Sequence, residues 1–104
     1  MDYIEFFYKR LTELRIQKNV SARDMSLSLG QSESYINKIE NKRTLPSFTG
    51  FIYICEYFGI TPEDFFNTKV ASPLKTKELI KELEKLSLSE TEHILQLVKD
   101  LNTK

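Results

Sequence analysis

Apolar residues recur at helical spacing in seven successive segments of the 104-residue chain, which predicts an all-α protein. The first segment, about Tyr3 to Lys18, carries a core stripe of Ile4, Phe7, Leu11 and Leu14. Asp2 is placed to cap it, and Glu5 follows at a spacing related to the capping box. Tyr3, Phe6 and Tyr8 add aromatic surface beyond that stripe. A second helix opens at Ser21, whose hydroxyl can accept from the backbone N–H of Arg23 or Asp24. Ala22, Met25 and Leu29 share one of its faces, and Gly30 comes where a left-handed residue ends a helix. A third helix is expected over about Ser32–Asn41, capped by Ser32. Its stripe of Tyr35, Ile36 and Ile39 leaves Glu33, Ser34, Asn37 and Lys38 on other faces. Pro46 and Ser47 start a fourth helix, in which Phe48, Phe51, Ile54, Cys55 and Phe58 keep the helical period until Gly59. Ile52, Tyr53 and Tyr57 lie off its core face. Thr61 then caps a short fifth helix with Pro62 at its first position, and Phe65 and Phe66 close the core.

From Asn67 to Ser72 the periodicity is lost, so a linker is expected there, dividing the chain into domains 1–68 and 69–104. Ser72 and Pro73 start a sixth helix through Leu86, with Leu79, Leu83 and Leu86 on one seam and Lys77, Lys81, Glu82 and Lys85 around it. Leu88 and Ser89 make the break, and Ser89 with Glu92 forms a capping box for a last helix. Ile94, Leu95, Leu97, Val98 and Leu101 give that helix a wide apolar face. Two helices cannot bury such faces by themselves. Either the hairpin docks on helices 1 and 4, or it pairs with a second copy through Leu79, Leu83, Leu86, Ile94, Val98 and Leu101. The second solution is preferred.

Composition narrows the chemistry. Net charge is formally zero, which argues against holding nucleic acid by bulk electrostatics alone. The distribution is nevertheless uneven, with Lys38, Lys42 and Arg43 in and after the third helix and Glu56, Glu63 and Asp64 in later ones. The single Cys55 cannot form an internal disulfide and reads as core filler, consistent with a reducing, cytoplasmic setting. No run approaches a membrane span, and the N-terminus carries Asp2 and Glu5 in place of a basic signal region. His93 has no partner at ligand spacing, and there is no glycine-rich phosphate loop, paired-cysteine motif or nucleophile elbow. No metal, cofactor or enzymatic activity is expected.

The run Ser34-Tyr35-Ile36-Asn37-Lys38-Ile39-Glu40-Asn41 stands in register with Leu11, Leu14, Arg15, Ser21, Gly30 and Pro46-Ser47. Gly59-Ile60-Thr61-Pro62-Glu63-Asp64-Phe65-Phe66 follows. Together these residues resemble the XRE-type helix-turn-helix family, the class of the phage Cro and cI repressors, over roughly Phe7–Phe66. The resemblance implies a five-helix, lambda-repressor-like DNA-binding domain, and the two-helix C-terminal hairpin read from periodicity follows it. It implies that helix 3 enters the major groove of double-stranded DNA, with base contacts from Glu33, Ser34 and Lys38, and Asn37 as a further one. Lys38 suits guanine O6 or N7, Asn37 suits adenine, and Glu33 can accept from a cytosine amine. Phosphate contacts would fall on Ser21, Arg23, Asn41, Lys42, Arg43 and Thr44. Ala22 departs from the family, which commonly has a phosphate-binding Gln there, and Glu33 stands where a donor is common. Arg15 and Glu40 match a structural ion pair between helices 1 and 3.

The expected protein is thus a sequence-specific transcriptional regulator, a dimeric repressor on an inverted-repeat operator. The alternative is a protein interaction module, or an antitoxin-like protein, that binds a partner through the C-terminal hairpin and DNA only weakly.

Overall fold

In the computed structural model, which describes residues 1–69 and 72–103, seven α-helices follow one another and no strand occurs among the described residues. They are α1 (Tyr3–Gln17), α2 (Ala22–Ser28), α3 (Tyr35–Glu40), α4 (Phe48–Phe58), α5 (Pro62–Phe65), α6 (Pro73–Leu83) and α7 (Leu88–Asn102). The fold is all-α. Contacts divide the chain into one compact unit, Met1–Leu74, and another, Lys75–Lys104. The first runs past Thr68 because Pro73 is buried and Leu74 packs against the core. Residues 70–71, in the middle of the expected linker, lie outside the described residues.

The core of the first unit is built from Phe7, Leu11 and Leu14 of α1, Met25 of α2, Ile36 and Ile39 of α3, and Ile54, Cys55 and Phe58 of α4, with Ile60 and Phe65. Phe7 stacks on Phe65 at 5.3 Å between ring centres, and Phe51 meets Phe65 edge-on at 5.2 Å. Burial lifts the Cys55 thiol to about 11, so Cys55 sits in the core as an unreactive thiol.

Two expected core residues are outside it. Ile4 is 54% exposed and Phe48 is 80% exposed; both lie along an apolar groove of about 240 Å³ that also takes in Leu45, Pro46 and Phe66. Both stand in the first turn of their helices, where few neighbouring elements reach over the side chain. Tyr8 takes the opposite course and is buried in the core. Arg10, on no apolar stripe, is buried as well, its Nη2 donating to the carbonyl of Asn67 at 2.9 Å and its guanidinium lying over the Phe6 ring.

Four helices end alike. After α1, α2, α3 and α4 the chain passes through a left-handed residue, respectively Asn19, Gly30, Lys42 and Gly59, and two backbone bonds return to the last turn. Gly30 and Gly59 take this conformation without a Cβ penalty. Lys42, at φ 61°, does not have that freedom.

The second unit obeys local signals. The sixth helix stops at Leu83 instead of Leu86, and α7 begins at Leu88, with its cap two residues before the expected Ser89. Ser87 is the true N-cap: its hydroxyl accepts from the Glu90 N–H, and Glu90 accepts from the Ser87 N–H at 2.9 Å. Of two overlapping Ser-x-x-Glu boxes, the earlier one prevails because it adds two residues of helix and still closes both bonds. These bonds hold the Glu90 carboxyl below its ordinary value. No residue of α7 is buried, and Ile94, Leu95, Leu97, Val98 and Leu101 are all exposed.

Candidate nucleic-acid interface

Six residues are too few for a free-standing helix, so α3 owes its existence to what surrounds it. Its buried residues, Ile36 and Ile39, face the core, and it packs against both α1 and α2. The expected start at Ser32 is corrected: the helix runs Tyr35–Glu40, and Ser32, Glu33 and Ser34 form a turn before it. Ser34 occupies the N-cap position but makes no side-chain cap.

The missing cap comes from another helix. Ser26 of α2 is fully buried; its hydroxyl donates to the Ala22 carbonyl at 2.7 Å and accepts from the Ile36 N–H at 2.9 Å. One of the first N–H groups of α3 is therefore satisfied from α2, which ties the two halves of the motif together. A serine on the same face as Ala22 and Met25 was the available signal, because a polar residue inside an apolar face must find a partner.

At the other end of α3, Glu40 is gripped from α1. Arg15 Nε and Nη2 donate to its two carboxylate oxygens at 2.7 and 2.9 Å, and the Thr12 hydroxyl donates to Oε1 at 2.9 Å. Arg15 Nη1 reaches on to the Val20 carbonyl at 3.0 Å. The hydrogen bond to Glu40 raises the Arg15 pKa above its ordinary value, against the opposing effect of burial. This two-pronged bond draws Glu40 away from the surface and fixes the pitch of α3 against α1.

On the solvent side, Asn37 and Lys38 are exposed and Ser34 is half-buried. Asn41 Nδ2 donates to both the carbonyl and the Oδ1 of Asn37 at 3.0 Å, which orients the Asn37 amide. Ser21 caps α2 through the Asp24 N–H, and Arg23 forms an ion pair with Glu33 at 3.2 Å across the turn. Lys42 turns toward α1, with Nζ 2.6 Å from Glu5 Oε2 and above the Tyr8 ring; the bond to Glu5 raises its pKa. Thr44 donates to the Leu45 carbonyl. Among the described residues, Lys38 and Arg43 carry no ion pair, so they are the cations this surface leaves open. Thus Glu33, Glu40 and Lys42 are each already neutralised by a partner.

Two helices of a motif joined by a glycine turn, with the second held by its neighbours and bare on its outer side, define a helix-turn-helix of the kind that binds DNA. The helix-turn-helix domain family matches residues 8–70, well over half the chain, and the chain belongs to that family, within its XRE-type class. No curated protein and no solved structure matches it significantly. No helix among the described residues is long and apolar enough to cross a membrane.

Proposed function

We propose that the protein is a sequence-specific regulator of transcription, a repressor that sets α3 and the turn before it into the major groove and binds as a dimer to an inverted repeat. The observation that carries this reading is the double anchoring of α3, by Ser26 at its start and Arg15 at its end, which presents Glu33, Ser34, Asn37 and Lys38 on a fixed frame. Ser21, Arg23, Asn41, Lys42, Arg43 and Thr44 flank them as positioning groups for phosphate. With Arg23 and Lys42 each paired to a carboxylate, one protomer holds few free cations, and two half-sites supply the affinity that one lacks. The exposed face of α7, with Leu79 and the half-buried Leu83 and Leu86 before it, is the proposed dimer surface.

Selection of bound sequences from a random duplex pool tests this reading. The expected product is an inverted repeat with half-sites about one helical turn apart, bound with a steep salt dependence. A flat salt response or absence of any enriched sequence would overturn it. The bare apolar face of α7 also favours a second reading, an antitoxin-like role in which that face binds a foreign protein. Lys38→Ala with Arg43→Ala separates the two, since a DNA regulator loses function and an interaction module keeps it.

A further inference from the structure

Arg23 and Glu33 are bound to each other, although each was expected to meet DNA by itself. Their side chains are 70% and 67% exposed, and such a pair contributes little to stability. It sits where α2 begins and where the turn leads into α3, on a frame whose spacing the Ser26–Ile36 bond holds. The nearest approach is Arg23 Nε to Glu33 Oε2 at 3.2 Å, and with both side chains largely exposed the pair keeps guanidinium donors and a carboxylate acceptor open to solvent. One side of the pair thus offers a fork of N–H donors, and the other offers an acceptor.

That array has a complement on a base-pair edge. In the major groove a C·G pair presents the cytosine N4 amine as donor next to guanine O6 and N7 as acceptors; A·T places donor and acceptors differently. We infer that Arg23 and Glu33 act as one composite reader of a C·G pair, with Glu33 accepting from cytosine N4 and Arg23 donating to guanine O6 and N7. The inference rests on the DNA-binding reading above. It assigns Glu33 a use that a lone carboxylate near phosphate would not have, because Arg23 cancels its repulsion. It also makes Arg23 a base reader instead of a phosphate contact.

The test uses the full chain, its Arg23→Ala and Glu33→Gln variants, and the double variant. Each is titrated against duplexes in which every base pair of the selected half-site is changed in turn, at two salt concentrations. Circular dichroism melts confirm that the variants fold. The expected result is a preference of the unaltered chain for C·G at one position, tenfold or more. Each single variant erases that preference while the others persist, and the double variant loses no more than either single. Replacing the guanine by 7-deazaguanine at that position lowers affinity for the unaltered chain and leaves Arg23→Ala indifferent. The inference is overturned if Arg23→Ala weakens all duplexes equally and lowers the salt slope by about one, as loss of a phosphate contact does. It is overturned equally if the preference survives Glu33→Gln. An unaltered chain that binds with salt dependence yet shows no C·G preference sinks this inference alone, whereas an unaltered chain without salt-dependent binding sinks the DNA-binding reading with it.

Discussion

The shortest helix flanking the interface and the last helix of the chain are opposites. With six residues, α3 buries Ile36 and Ile39 and borrows bonds from two other helices; α7, with fifteen residues, is capped by its own Ser87 and Glu90 and buries nothing. Helical periodicity is present in both sequences. In α3 the apolar stripe is matched by facing surfaces from α1 and α2, while in α7 it is left open. Periodicity therefore shows that a face wants burial but not what will bury it. A helix held by its surroundings can be short and carry readout groups on its outside. One held by local bonds must be long enough to stand with little help.

Truncation at the two stripes gives the largest expected contrast. Ile36→Ala leaves a cavity in a closed core and should cost about 2–5 kcal/mol in urea unfolding. Leu97→Ala, at an exposed position, should cost less than about 0.5 kcal/mol when measured at concentrations where the chain is monomeric. Equal losses would erase the distinction between the two helices.

The anchors of α3 come next. Glu40→Ala strands the half-buried Arg15 guanidinium and should destabilise by about 2–4 kcal/mol, with strong coupling to Arg15→Ala in a double-mutant cycle. Additive losses would show that the pair does not act as a unit. Ser26→Ala should cost about 1–2 kcal/mol, since the Ile36 N–H is then buried without a partner, and amide exchange at Ile36 should accelerate more than at other core amides. Unchanged protection at Ile36 would mean that α3 does not need the bond.

The smallest effects are titrations, and they run in opposite directions. Glu90 has its pKa lowered in the folded chain, so its contribution to the start of α7 is present above the ordinary carboxylate value of 4.5 and lost as pH falls through the depressed one. Amide shifts of Ser87 and Glu90 should report this with no change in the core. Cys55 is raised from 9.0 to about 11, so stability is lost as pH rises between those values, when the unfolded thiol ionises and the folded one does not. Cys55→Ala should flatten that part of the stability profile. A drop that persists without the thiol would assign it to another group.

Much of this molecule follows from local chemistry, and the sequence is where that chemistry is written. Asp2, Ser21 and Thr61 cap the helices they were expected to cap, and Ser47, expected only at the start of α4, caps that helix too, because a side-chain oxygen two or three residues from an orphan N–H needs no distant partner. Gly30 and Gly59 end helices for an equally local reason, and α1, α2, α4 and α5 lie within a residue or two of their expected bounds. The outer positions Asn37 and Lys38 were legible from the stripe they oppose.

The tertiary structure alone decided the rest. It withdrew Ile4 and Phe48 from the core and admitted Tyr8 and Arg10, because burial depends on which elements cross a position and not on periodicity. It chose Ser26 as the cap of α3, a bond between residues ten apart that no spacing rule anticipates. It turned Lys42 to Glu5 and Arg23 to Glu33, joining charges that belong to different elements of the chain. Caps and turns are settled within a few bonds of one another. Pairings and burial are settled by packing, and at this interface packing sets which groups face outward together.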